Sequence, residues 1–166
     1  MKYIKMFENI ITSLNYTNYG WSDLPELPDT LEYLYCAINK LKKLPKLPDT
    51  LKILNCSTNN LTELPDLPYK LEQLDCGYNT ITELPELPDT LKSFFCTGNN
   101  LTKLPKLPNT LKYLDCENNS LSELPELPDT LEYLYCYGNN LPYTNLIEYN
   151  DWKEFPEKYS SKKFNI

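Results

Sequence analysis

The chain has no histidine and no arginine: its sixteen basic residues are all lysine, set against twenty-three aspartates and glutamates, for a formal net charge of −7. No imidazole is present to act as an acid or base near neutrality. No guanidinium fork is available for planar recognition of phosphates or bases, and no basic stripe stands out, which argues against nucleic acid as a partner. No apolar run approaches the roughly 20 residues needed to cross a bilayer, so no membrane association is expected. The opening MKYIKMFENIITSL carries Lys5 and Glu8 and has no small-residue cleavage site, which makes it a poor secretion signal. There is also no Gly-rich phosphate loop, no G-x-S-x-G and no nucleophile spaced to meet a base. The chain therefore reads as a non-enzyme without cofactor or metal.

What the sequence does have is a period. The frame L-x-x-L-x-C-x-x-N-x-L/I, seen first at Leu31 to Leu41, returns every 20 residues; cysteine falls at 36, 56, 76, 96, 116 and 136, and asparagine at 39, 59, 79, 99, 119 and 139. Self-similarity at a fixed short period is the mark of a solenoid. Within each copy, T-L-x-x-L-x-C alternates like a short half-buried strand, with Leu34 and Cys36 pointing one way and Tyr33 and Tyr35 the other. The remainder, L-x-x-L-P-x-L-P-D-T, holds two prolines three apart, which remove backbone donors and keep the chain extended. Each unit is thus one strand and a polyproline-like return. A lone unit leaves its apolar face open, so only the stacked array folds, with its strands in parallel.

These leucines, the asparagine and the L-P-x-L-P return resemble the leucine-rich repeat, more narrowly the short 20-residue class known from effectors of Gram-negative pathogens and from some large viruses. The match runs from Trp21 to Asn140. The resemblance implies a binding scaffold and a protein partner. It departs from the common pattern in placing cysteine where an aliphatic residue usually stands, and in lacking the long C-terminal domain of catalytic effectors.

The expected organisation is an N-terminal cap and degenerate half repeat over 1–20, six repeats over 21–140, and a C-terminal cap and polar tail over 141–166. Ile4, Phe7, Ile11 and Leu14 at helical spacing suggest a lid on the first strand. At the other end, Leu146, Ile147, Tyr149, Trp152 and Phe155 are expected to cover the last repeat, with Asp151 and Glu154 spaced as a capping box and the helical turn ending near Pro156. Residues 157–166 are expected to be a mobile tail. Tyr69-Lys70 in place of Asp-Thr, Phe94 in place of leucine and Asn109 in place of aspartate are expected to cause only local adjustment.

Six thiols in a column invite thought of a metal or redox relay, but strands about 4.8 Å apart string four sulfurs along some 14 Å, which cannot surround one ion. Buried reduced cysteine acting as a small apolar filler is the expected role, and it favours a reducing, cytoplasmic compartment, including the interior of a host cell. The asparagines are expected to satisfy backbone groups where the chain leaves each strand. Lysines in repeat 2 (Lys42, Lys43, Lys46, Lys52) and repeat 5 (Lys103, Lys106, Lys112) alternate with acidic neighbours and are expected to form stacking ion pairs.

Functional weight then falls on the parallel-sheet (concave) face. The expected partner-binding residues are Tyr33, Tyr35, Asp75, Tyr78, Phe95, Tyr113, Asp115, Tyr133, Tyr135 and Tyr137, since exposed aromatic surface with polar gaps is the usual composition of an interaction hot spot. Asp75 and Asp115 are expected on open surface with ordinary acidity. The leading reading is a non-catalytic module that binds a protein or peptide; the alternative is a structural, self-assembling component.

Overall fold

The computed structural model describes residues 10–159; the part of the N-terminal lid before Ile10, and the tail beyond Tyr159, lie outside them. Among the described residues, seven three-residue strands run in chain order through one parallel sheet: β1 (Ser13–Asn15), β2 (Tyr33–Tyr35), β3 (Ile53–Asn55), β4 (Gln73–Asp75), β5 (Ser93–Phe95), β6 (Tyr113–Asp115) and β7 (Tyr133–Tyr135). Every pairing joins residues 20 apart, from Leu14 on Leu34 to Leu114 on Leu134. The 20-residue frame and the physical stack are therefore the same object. The strands are shorter than the T-L-x-x-L-x-C stretch, yet the ladder continues past them: Cys36 N–H donates to the Asn55 carbonyl and Ile38 N–H to that of Ser57.

One face of the strands and the inner edge of the returns enclose a core of stacked leucines. Leu34, Leu54, Leu74, Phe94, Leu114 and Leu134 form one buried column, and the six cysteines form another beside it, all buried and none in a disulfide. Phe94 takes its leucine's place at full burial and in register with Leu74 and Leu114. Each return closes through a turn in which Leu31 N–H donates to the Pro28 carbonyl, repeated at every copy to Leu131 and Pro128.

Two polar columns hold the copies together. Asn59 Oδ1 accepts from Leu41 N–H while its Nδ2 donates to the carbonyls of Cys36 and Cys56, and Asn39, Asn79, Asn99, Asn119 and Asn139 repeat this arrangement. The threonine before the leucine that leads into the strand turns its hydroxyl to the previous copy wherever it is present: Thr50 reaches the carbonyls of Asp29 and Leu31, and Thr90, Thr110 and Thr130 do likewise, whereas Lys70 takes its place before Leu71. A third column is conformational. Asn18, Ile38, Thr58, Tyr78, Gly98, Asn118 and Gly138 all sit at φ between 52° and 72°.

The expected charge ladder forms only in part. Lys52 pairs with Glu32 at 2.7 Å, Lys92 with Glu72 at 2.7 Å, Lys112 with Glu132 at 2.9 Å and Lys103 with Glu83 at 3.8 Å. Lys42, Lys43 and Lys46 are exposed and make no ion pair among the described residues.

The C-terminal cap differs from its expected layout. Helix α1 (Leu146–Glu154) starts earlier and is capped by Asn145, whose side chain accepts from Glu148 N–H; Glu148 in turn accepts from the N–H and hydroxyl of Thr144. The reciprocal pair is thus Thr144-Asn145 with Glu148. Asp151 lies within the helix and accepts from the Tyr159 hydroxyl of the short 3-10 turn Pro156–Tyr159. Leu146, Tyr149 and Trp152 pack on the core around buried Tyr143, whereas Ile147 is 82% exposed and Phe155 also faces outward, against Lys158. An antiparallel bridge from Asn145 to Tyr135, with Cys136 N–H donating to the Thr144 carbonyl, covers the open edge of β7.

Candidate protein-binding face

Alternation along each strand sends positions 33 and 35 of every copy away from the core, and position 37, just past the strand, lies beside them, with Ala37, Gly77 and Thr97 buried and Tyr137 exposed. Stacked in register they make three parallel rows across seven strands, about 30 Å long at ordinary strand spacing. The first row reads Ser13, Tyr33, Ile53, Gln73, Ser93, Tyr113, Tyr133; the second Asn15, Tyr35, Asn55, Asp75, Phe95, Asp115, Tyr135; the third Thr17, Ala37, Ser57, Gly77, Thr97, Glu117, Tyr137.

The aromatic side chains are unevenly shared. Tyr113 is a hub: its ring centroid lies 5.0 Å from Phe95, 5.5 Å from Tyr133 and 5.6 Å from Tyr135, so four of the expected residues form one cluster on β5, β6 and β7. Tyr33 and Tyr35 stand apart on β2. Between them and the cluster lies a shallow depression of about 400 Å³ bordered by Tyr33, Ile53, Gln73 and Ser93 and, along one edge, by Lys52, Glu72 and Lys92. Tyr137 is exposed at the C-terminal margin. Tyr78 is exposed too, but it sits in the turn after β4, next to the three rows.

The two aspartates are less free than the sequence suggested. Asp75 Oδ1 accepts from Gly77 N–H at 3.1 Å, and Asp115 Oδ1 from Glu117 N–H at 3.2 Å and from the Thr97 hydroxyl. Asn15 and Asn55 make the same bond two residues ahead, to Thr17 and Ser57. An Asp or Asn in the second row therefore fastens the strand exit, and only one carboxylate oxygen is left to face outward. Nor is the acidity of Asp75 ordinary: burial raises its pKa above the usual carboxylate range, with the charge of Asp115 adding to it. Glu117 is raised as well, by partial burial and then by Asp115. Burial, together with the neighbouring carboxylate and the Tyr135 phenol, raises Tyr113.

A depression of about 1130 Å³ lies on the return side, where Pro88, Pro105 and Pro108 wall it beside Tyr69. Its equivalent between Pro45 and Pro48 encloses about 160 Å³. The groove is thus a by-product of stacking proline returns, widened where Tyr69-Lys70 interrupts the pattern. A third, about 620 Å³, is the seam between the last return and α1, floored by Tyr149 and Trp152. Neither has the continuity of the sheet face.

A family model for the leucine-rich repeat matches residues 110–129, a span that includes β6 and the return after it. The chain belongs to the leucine-rich-repeat family. Among solved structures it is similar to YopM from Yersinia enterocolitica, with 38% identity and a TM-score of 0.77 over 79% of this chain and 32% of that one. It is likewise similar to YopM of Yersinia pestis, a leucine-rich effector protein, with 42% identity and a TM-score of 0.72 over 78% and 37%. The leucine-rich-repeat domain of a Shigella effector matches with 40% identity and a TM-score of 0.69 over 70% and 54%. The chain spans about a third of the length of the YopM structures and about half of the Shigella domain. No curated protein matches it. This repeat class builds effector-like scaffolds, and the leucine-rich-repeat fold is in general a protein-interaction module.

Proposed function

We propose that the chain is a non-catalytic binding module that docks a protein or peptide on the outward sheet face, centred on Phe95, Tyr113, Tyr133 and Tyr135. The observation that carries this reading is the cluster around Tyr113: three neighbouring strands in strict register bring the rings of Phe95, Tyr133 and Tyr135 against that of Tyr113, beside an open depression. Pre-ordered rings lose little freedom on association, which is what makes such patches effective anchors. The effector-like relatives support a site of action inside a host cell, and the six buried thiols suit a reducing compartment. Self-assembly through stacking of solenoid ends finds no support at the C-terminal end, where Asn145 already occupies the edge of β7.

The test compares wild type with Tyr133→Ser/Tyr135→Ser in quantitative capture of partner from host-cell lysate, followed by a titration with the captured partner. Affinity should fall by at least tenfold, the usual weight of two hot-spot aromatics. Some stability is lost as well, because both rings pack on Tyr113, an interaction of about 0.5–1.5 kcal/mol for each aromatic pair. Unchanged capture would refute the sheet face as the site.

A further inference from the structure

The three outward rows hold no lysine, although the chain has sixteen basic residues, all of them lysine. Their ionised groups are three carboxylates, Asp75, Asp115 and Glu117, gathered on β4 and β6 and in the turn just after β6. The lysines nearest to them, Lys52, Lys92 and Lys112, line the margin of the face and are tied to Glu32, Glu72 and Glu132, so that margin is neutral. Asp75 and Asp115 flank Phe95 in register, about 10 Å apart by two strand spacings, and Glu117 follows two residues after Asp115. The face therefore combines electron-rich ring surfaces with uncompensated negative charge, and burial, with the Asp115 charge added, raises the pKa of Asp75 and Glu117 in keeping with the cost of holding that charge.

Resting on the sheet-face reading above, we propose that the partner segment is cationic, an arginine- or lysine-bearing stretch of polypeptide whose charged groups lie over Phe95 and Tyr113 and face Asp75, Asp115 and Glu117. A guanidinium placed there gains a ring face and a carboxylate together. It also relieves the repulsion between neighbouring acids. An acidic segment would add to that repulsion, and a purely apolar one would bury the carboxylates without a partner.

The chain supplies its own control for the test. Because Asn15 and Asn55 make the same strand-exit hydrogen bond as Asp75 and Asp115, the variant Asp75→Asn/Asp115→Asn/Glu117→Gln removes the charge while keeping the acceptors. The probes are two labelled peptides of about ten residues, long enough to cross the stack when extended, one alternating glycine with arginine and one glycine with glutamate. The arginine peptide should bind wild type in a salt-sensitive way, the glutamate peptide should not, and the triple variant should lose at least about tenfold in affinity. A second triple, Glu26→Gln/Glu63→Gln/Glu86→Gln on the returns, should bind like wild type. Equal binding of the two peptides, no binding of the arginine peptide, or equal losses in both triples would overturn the cationic assignment. If Tyr133→Ser/Tyr135→Ser abolishes binding of the cellular partner while the face triple leaves it intact, the sheet face stands and the cationic class falls. If neither variant affects it, both readings fall.

Discussion

The ring of Tyr78 lies over Gly98, so that a Cβ added at position 98 would sit 2.9 Å from Tyr78 Cδ1. Both residues occupy the left-handed column that ends each strand, at φ 53° and 66°. Only glycine takes that conformation without cost; a bulky residue such as tyrosine is forced into it by the stack around it. Gly98→Ala should therefore lose about 1–3 kcal/mol in urea unfolding, through the backbone and through displacement of the ring. In a Tyr78→Asn background the penalty should shrink toward the backbone cost alone. An identical penalty in both backgrounds would mean that the ring does not press on position 98.

Asn59 should be among the most sensitive polar positions. Its amide serves Leu41 N–H and the carbonyls of Cys36 and Cys56, and the residue is almost fully buried. Asn59→Ala leaves the Leu41 N–H without a partner, at roughly 1–3 kcal/mol, and takes one of two donors from each carbonyl, Cys36 keeping the Asn39 amide and Cys56 that of Asn79. A loss of about 2–3 kcal/mol in the denaturant midpoint analysis is expected, with binding on the sheet face unchanged after correction for the folded fraction.

The strand register, the leucine and cysteine columns and the asparagine ladder were legible in the sequence because each depends on residue type at a fixed period. The left-handed column was hidden: Gly98, Asn118 and Gly138 announce it, but Ile38, Thr58 and Tyr78 at the same position do not, and the stack imposes the conformation on them regardless. Asp75 and Asp115 read as free ligands because an outward carboxylate looks the same whether or not it holds a backbone N–H; Asn15 and Asn55 in the same row were the available clue. The helix start was misplaced because Asp151 and Glu154 have capping-box spacing, while Asn145 and Glu148 have both the spacing and the preceding break at Pro142. Tyr143, buried at the centre of the cap, was missed since nothing in the local pattern separates it from the exposed tyrosines.

Alkaline pH should destabilise the array in a way set by the thiols. Burial raises Cys36 and Cys136 from the ordinary 9.0 to about 12, and raises Cys56, Cys76, Cys96 and Cys116 as well. The folded chain thus keeps its thiol protons where the unfolded chain releases them. These groups leave stability unaffected below about pH 8.5, and stability falls as pH climbs beyond that toward 12. The denaturant midpoint should begin to drop between about pH 8.5 and pH 9.5, where unfolded thiols ionise ahead of most tyrosines, and the slope should lessen in Cys76→Ala, which leaves the tyrosines in place. A thiol reagent should label native protein slowly, at a rate that follows opening of the fold. A flat midpoint through this range, or rapid labelling of all six, would place the sulfurs in contact with solvent.

The break in the threonine column at Lys70 allows stability to be added. Thr50 and Thr90 on either side each turn a hydroxyl to two carbonyls of the preceding copy, whereas Lys70 is exposed and its ammonium rests 5.5 Å from the Tyr69 ring. By the same offsets, a threonine at 70 would reach the carbonyls of Asp49 and Leu51. The exchange gives up an exposed cation–π contact of about 0.5 kcal/mol and gains a hydrogen bond between adjacent copies worth about 1 kcal/mol. Lys70→Thr should therefore raise the unfolding midpoint slightly, and Thr50→Val should lower it by a larger amount because the acceptors lose a donor they already have. Should Lys70→Thr lower the midpoint while Thr50→Val leaves it unchanged, the threonine hydroxyls would carry none of the cohesion between copies, and the turn geometry after Pro48 and Pro68 would have to supply it alone.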